Sequence, residues 1–189
     1  LKKFKNAGAA VQYISADVSE INELEEAFKY AFDNYGHIDG IIHNAAATDD
    51  SSISVPLNHL TVNSLDRQFS VKVKGLLNIA ELSKKYNPGT VIVSSSVSSL
   101  LGGIGFAAYS AANTFVESFA AHKNKEGNAR WFAWVWDGWF FEDYLSSMHE
   151  GPRNTAITSE DGTKILSETD YDSGFDSVII SKRNLNSEI

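Results

Sequence analysis

The sequence predicts an α/β domain, residues 1–189, built on a doubly wound parallel sheet that is incomplete at its N-terminal side. Three observations point there. Short apolar runs of strand length alternate with stretches whose apolar residues recur at helical spacing. The short runs are almost wholly apolar, as strands covered on both faces are. The polar residues that stand out fall just after those runs: Asp17, Asn44-Ala45-Ala46, Ser94-Ser95-Ser96 and Trp136-Asp137-Gly138. In open parallel sheets that end is where ligands bind.

The elements follow in order. Leu1 to Asn6 read as the last turn of a helix, with lysines at its carbonyl end and Gly8 able to take a left-handed cap. A helix that lacks an N-cap, in a chain lacking an initiator methionine, implies a start inside a domain. Ala10 to Ser15 is a strand candidate. Ser19 is the expected N-cap of a helix marked by Ile21, Leu24, Ala27, Phe28, Ala31 and Phe32, and Gly36 ends it. Ile38 to His43 is a short strand, followed by a polar loop from Thr48 to Ser54. Leu65, Phe69, Val73, Leu76, Leu77 and Ala80 predict one long helix to about Tyr86, then an Asn87-Pro88-Gly89 turn. Thr90 to Val93 is a strand ending in three serines. A loop with Gly102, Gly103 and Gly105 leads into a helix over about Ala107 to His122. Ala129 to Val135 is the next strand, Phe140 to Thr163 is irregular with weak helical pieces, and Val178 to Ile180 is the last strand. Trp131, Trp134, Trp136 and Trp139 are expected to pack in the core, two on each side of the sheet.

Composition excludes several classes. Sixteen Lys and Arg against 24 Asp and Glu give a net charge of −8. That is a poor basis for neutralising phosphates, so no nucleic-acid partner is expected. No apolar run approaches the ~20 residues of a membrane helix, and no signal peptide is present. The absence of cysteine excludes disulfides and thiolate metal sites and fits a cytoplasmic setting. The five histidines show no paired ligand spacing, so no metal is expected. There is no P-loop and no G-x-S-x-G elbow. Gly102-Gly103-Ile104-Gly105 follows a strand without the dinucleotide-loop spacing.

One constellation carries chemistry. Tyr109 and Asn113 are four apart on a helix and share a face. Ser96 ends a strand thirteen residues before Tyr109, and Lys72 lies on the helix preceding that strand. A phenol alone titrates near ~10, and a nearby cation favours its ionised form. Such a pair can pass a proton near neutrality, while a serine hydroxyl holds a carbonyl oxygen as charge develops on it. Each of these residues by itself has a plainer use, as packing, cap or solvated surface.

These residues resemble the short-chain dehydrogenase/reductase superfamily, and within it the ketoreductase domains of modular polyketide synthases. The resemblance rests on Ser15-Ala16-Asp17-Val18, Ile41 to Ala46, Phe69 to Gly75, Ser95-Ser96, Gly105 to Asn113 and Trp136 to Trp139. It spans about Gly8 to Leu185 and is weakest after Trp139. Ordinary members have Y-x-x-x-K and an Asn on the preceding helix; the polyketide branch exchanges the two, as Lys72 and Asn113 do here.

The resemblance implies a Rossmann-like fold of the short-chain reductase type and an NADPH-dependent reduction of a β-ketoacyl thioester carried by an acyl carrier protein. Other megasynthase domains would be its partners. Tyr109 would protonate the alkoxide, Ser96 polarise the ketone, Lys72 support Tyr109 and touch the nicotinamide ribose, and Asn113 extend the relay. Lys72 is preferred to Lys74 by the match to K-V-x-G. Asp17 and Val18 would face the adenine, and Asn44, Ala45 and Ala46 would line the cofactor. The region of about residues 140–163 would form a lid over the substrate. The family's T-G-x-x-G-x-x-G pyrophosphate loop and 2′-phosphate-binding arginine precede the position of Asp17 and are not in this sequence. Asn44 and Ala46 stand where the family has Ala and Gly. The phosphate-binding half is expected upstream or on a separate chain. Asp49, in Thr48-Asp49-Asp50, would guide the substrate; with Leu101 in place of Trp and Ala111 in place of Pro, it implies a D-hydroxy product without α-epimerisation. A free-standing or fatty-acid synthase reductase, and an inactive structural domain, are the alternative readings.

Overall fold

The computed structural model describes residues 2–47, 54–127, 129–139, 154–171 and 174–187. Four parallel strands form one sheet in sequence order: β1 (Gly40–His43), β2 (Thr90–Ser96), β3 (Arg130–Trp136) and β4 (Ser177–Ile180). The register sets His43 beside Val93, Ser96 beside Trp136, and Trp136 beside Ile180. The carboxyl ends of all four strands therefore lie together.

The helices are α1 (Lys2–Asn6), α2 (Ile21–Tyr35), α3 (Val62–Phe69), α4 (Gly75–Tyr86), α5 (Ser98–Leu101), α6 (Ala107–Asn124) and α7 (Ser159–Glu168). Among the described residues no helix is long and apolar enough to cross a membrane.

Side-chain alternation along β3 sorts the core into two layers. Trp131 and Ala133 face α2, α4 and α6, where Leu24, Phe28, Leu76, Ile79, Val93, Val116 and Ala120 pack with them. Phe132 and Trp134 face the other way, onto Ile157, Ile180 and Ile165 of α7. Helices thus cover both faces, as the apolar strands require. Each fully buried large side chain here contributes roughly 2 kcal/mol through the water it sheds. The Phe28 and Tyr86 rings, 5.6 Å apart, fasten α2 to α4.

Several expectations need correction. Ala10 to Ser15 is not a strand; Tyr13 is 69% exposed. A strand exists through its ladder, and among the described residues β1 pairs with β2 alone, leaving Ile42 58% exposed. Ser19 does not cap α2. Glu20 holds that position without a side-chain bond, while the Asp17 carboxylate accepts from the Ser19 N–H at 2.8 Å. The tryptophans are core residues, but they divide one to three: Trp131 on one face, Trp134, Trp136 and Trp139 on the other. Positions 134 and 136 share parity and must share a face.

The expected long helix is interrupted by a π-turn, Ser70–Lys74, between α3 and α4. The one-turn α5 was not foreseen. Neither was α7, which opens inside the stretch read as irregular. A reciprocal Thr158–Asp161 capping box starts it. Of the proposed lid, residues 140–153 lie outside the described residues, as do Thr48, Asp49 and Asp50.

Candidate active site

The polar residues at the carboxyl edge of the sheet are positioned by three devices: a π-turn, a glycine contact and a strand end. The π-turn widens the helix by one residue, a local distortion frequent at functional sites. It carries Lys72 inward and Lys74 outward. Lys72 is only 5% exposed, whereas Lys74 lies on the surface in an ion pair with Glu20. The match to K-V-x-G had preferred Lys72 of the two.

Gly75 allows the turn to sit close to the sheet. A Cβ there would come within 2.8 Å of Val18 Cγ2 and 3.3 Å of His43 Cε1. His43, buried at the end of β1, places its Nε2 3.1 Å from the Lys72 carbonyl oxygen. Burial holds the His43 pKa below its ordinary value, so the neutral ring donates to that carbonyl.

Lys72 Nζ donates to the Ser94 carbonyl at 2.8 Å and lies 5.9 Å from the centre of the Tyr109 ring. Burial pushes the Lys72 pKa down to about 8, against the opposing attraction of Glu117. At neutral pH the ammonium form still prevails, so Lys72 sets a positive charge beside the Tyr109 ring.

Tyr109 is half-buried on α6, its ring edge-on to Phe106 at 6.0 Å. One turn on, Asn113 is fully buried, and its Nδ2 donates to the Tyr109 carbonyl at 2.9 Å. Its Oδ1 has no partner among the described residues. Ser96 sits at the end of β2, where its hydroxyl accepts from the Ser98 N–H at 3.2 Å. Among the described residues no hydrogen bond joins Ser96 to Tyr109. The fold therefore brings Lys72 and Tyr109 together and places Asn113 and Ser96 on neighbouring positions of the same edge.

Of the residues expected along the cofactor, Asn44 is exposed and Ala45 and Ala46 are half-buried just beyond β1. The loop they begin is tied to α3 by Gln68, whose Nε2 donates to the Ala47 carbonyl at 3.1 Å. The Val18 side chain packs against the core and its carbonyl accepts from Asn78 Nδ2 at 2.9 Å, while Asp17 is exposed.

Gln68 and Glu117 were not singled out from the sequence, and no role was assigned to His43 or Ser95. Gln68 ties the loop after β1 to α3, and His43 bonds the Lys72 backbone. Ser95 donates to the Glu117 carboxylate. Glu117 was findable, because it stands four residues after Asn113 and eight after Tyr109, on one helical stripe. Asp137, already noted at a strand end, is clamped. Arg183 bonds both its carboxylate oxygens, at 2.7 and 2.9 Å, and Ser181 adds a third bond at 2.6 Å. Burial raises the Asp137 pKa, and these bonds outweigh it and hold the group below the usual carboxylate range. The clamp ties the turn after β3 to the segment after β4.

Comparison with known proteins places this arrangement in a family. Residues 1–137 match the family model described as KR domain. Polyketide synthase PksN of Bacillus subtilis (strain 168) is 31% identical over 124 residues, covering 66% of this chain and 2% of that protein. A ketoreductase domain from the bacillaene assembly line superposes with a TM-score of 0.80 at 26% identity, covering 95% of this chain and 45% of that one. An alcohol dehydrogenase from the archaeon Thermococcus sibiricus, solved with 5-hydroxy-NADP, gives 0.73 at 16% identity, covering 95% and 78%. The chain spans 2%, 6% and 10% of three of the curated polyketide synthases it matches, PksN being the first. With most of its length matched by one model and its sheet superposing on solved members, the chain belongs to the KR domain family.

Proposed function

We propose that this chain forms the catalytic portion of an NADPH-dependent ketoreductase. Its substrate is a β-ketoacyl thioester presented by an acyl carrier protein, its product the β-hydroxyacyl thioester of polyketide biosynthesis. The observation that carries the reading is the buried Lys72 ammonium beside the Tyr109 ring at the carboxyl edge of the sheet. Burying a cation is unfavourable, and a fold tolerates it where the charge is used.

The residues fit a nicotinamide cofactor. Lys72 spends one of its three N–H donors on Ser94. Asn113 Oδ1 is buried without a partner among the described residues. These open donors and acceptors suit the hydroxyls of a ribose, and Asn44, Ala45, Ala46, Asp17 and Val18 would line the rest of the cofactor. The archaeal neighbour of like fold was solved with 5-hydroxy-NADP, in keeping with a nicotinamide cofactor.

When bound, the reduced cofactor supplies the hydride. The Tyr109 hydroxyl donates its proton to the substrate oxygen as charge develops there. Lys72 offsets the negative charge then left on the Tyr109 oxygen. Ser96 hydrogen-bonds the same substrate oxygen, and Asn113 keeps Tyr109 and the relay in register. The naming of the relatives as polyketide synthases supports a larger synthase as the setting; the location we propose for it is cytoplasmic.

The test is turnover by the intact protein. A β-ketoacyl thioester on its carrier protein should be converted to the β-hydroxyacyl form, identified by mass spectrometry, with matching consumption of NADPH. Unchanged substrate after incubation with a folded, cofactor-bound protein would overturn the proposal.

A further inference from the structure

The reductase reading gives no task to the acidic group beneath Lys72. Glu117 lies on α6, two turns beyond Tyr109 and one beyond Asn113, and is half-buried. Its carboxylate accepts a hydrogen bond from Ser95 Oγ. Ser95 is itself buried at the end of β2, and its hydroxyl also lies 3.4 Å from the Asn113 carbonyl. The neighbouring residue on that strand, Ser94, offers the carbonyl that Lys72 Nζ bonds. Two consecutive serines of β2 thus join Lys72 on one side to Glu117 on the other.

We propose that Glu117, held by Ser95 next to the strand residue that binds Lys72, is a positioning residue for Lys72 at the buried edge of the sheet. The inference rests on Lys72 being the charge partner of Tyr109.

The argument is one of compensation. A buried ammonium loses its water and leans toward the neutral amine, which could not support a tyrosine anion. A carboxylate nearby restores part of the lost stabilisation. The attraction from Glu117 is the force opposing desolvation at Lys72. The other groups around Lys72 do not supply it. Tyr109 of α6 offers a phenol rather than a carboxylate. His43 of β1 bonds only the Lys72 backbone and is kept neutral by burial. The strand β2 contributes a carbonyl. On the helix itself Lys74 points outward to Glu20, and Asp66 and Arg67 are exposed. Ser95 fixes the carboxylate, so the charge acts from one place.

The test reads Lys72 directly, without cofactor or substrate. The intact protein is reductively methylated with formaldehyde over a pH series, and Lys72 labelling is quantified by peptide mass spectrometry. In the wild type the midpoint is expected at about 8. Glu117→Gln keeps the shape and the Ser95 contact but removes the charge. Its midpoint should fall by about one pH unit, the scale of a neighbouring opposite charge. Glu117→Asp should return it toward the wild-type value, which a purely packing role would not predict. In turnover assays the high-pH limb of kcat/KM should move down with the midpoint, and kcat should suffer more than KM. An unchanged midpoint in Glu117→Gln overturns the inference. A shifted midpoint in a protein that reduces no ketone would leave the Glu117–Lys72 coupling standing and refute the reductase reading instead.

Discussion

Replacing Lys72 by methionine should make the protein more stable and catalytically poor at once. The side chain is 5% exposed, and burial moves its pKa from 10.5 down to about 8. A shift of that size corresponds to about 3 kcal/mol of unfavourable free energy carried by the ammonium in the folded state. Methionine keeps the aliphatic stem and removes the charge. Losing the bond to the Ser94 carbonyl costs about 1 kcal/mol, leaving a net gain of about 2 kcal/mol at neutral pH. For a domain of this size that raises Tm by roughly 4–8 °C.

The sign with pH follows from the same shift. Below about 8 Lys72 is charged in both states and the wild type carries the full penalty. Between about 8 and the unfolded value the folded state loses its proton first, so wild-type stability rises with pH and the advantage of methionine fades. Denaturation of the cofactor-free protein at several pH values, followed by fluorescence of the buried Trp131 and Trp134, measures both quantities. Turnover should fall at least ~100-fold, the low end for losing a group that serves acid catalysis. A methionine variant less stable than the wild type at pH 7, or one that turns over normally, would refute the reasoning.

Three further outcomes are expected. Lys74→Met should leave turnover within about twofold, since it removes only an exposed pair with Glu20 of the kind that contributes under ~1 kcal/mol. Gly75→Ala drives a methyl to 2.8 Å from Val18 and should cost ~1–3 kcal/mol, with turnover lost through displacement of Lys72, measurable by denaturation and kinetics on one preparation. Chiral chromatography of the product should show the D-β-hydroxy thioester with its α-centre unchanged; a mainly L product would overturn the reading of Asp49 as the substrate guide.

The alternation of strands and helices was legible because it is a local pattern, and β1, β2, β3 and β4 fall within a few residues of their expected places. Ala10 to Ser15 misled because strand propensity is local whereas a strand requires a partner beside it. The π-turn at Ser70–Lys74 left no trace in the periodicity, since Leu65, Phe69, Leu76 and Ala80 keep an apolar stripe across it. The tryptophan division was a matter of parity, readable from positions 131, 134 and 136 alone. At the site, Tyr109, Asn113 and Ser96 were accessible through spacing, and Lys72 through the resemblance. The hydrogen bond from His43 to the Lys72 carbonyl and the Ser95–Glu117 pair join residues far apart in the chain, so only the fold reveals them. Asp137 was noticed by its strand-end position, but its partner Arg183 is 46 residues on, past β4.

The central claim, that Tyr109 beside Lys72 delivers the proton to a ketone, is tested most directly by single-turnover reduction in the intact protein, wild type against Tyr109→Phe. The phenylalanine keeps the ring packed against Phe106 and removes only the hydroxyl. With cofactor affinity and tryptophan fluorescence unchanged, the rate of β-hydroxyacyl formation should drop at least ~100-fold. A Tyr109→Phe protein that reduces the thioester at close to the wild-type rate would contradict the account.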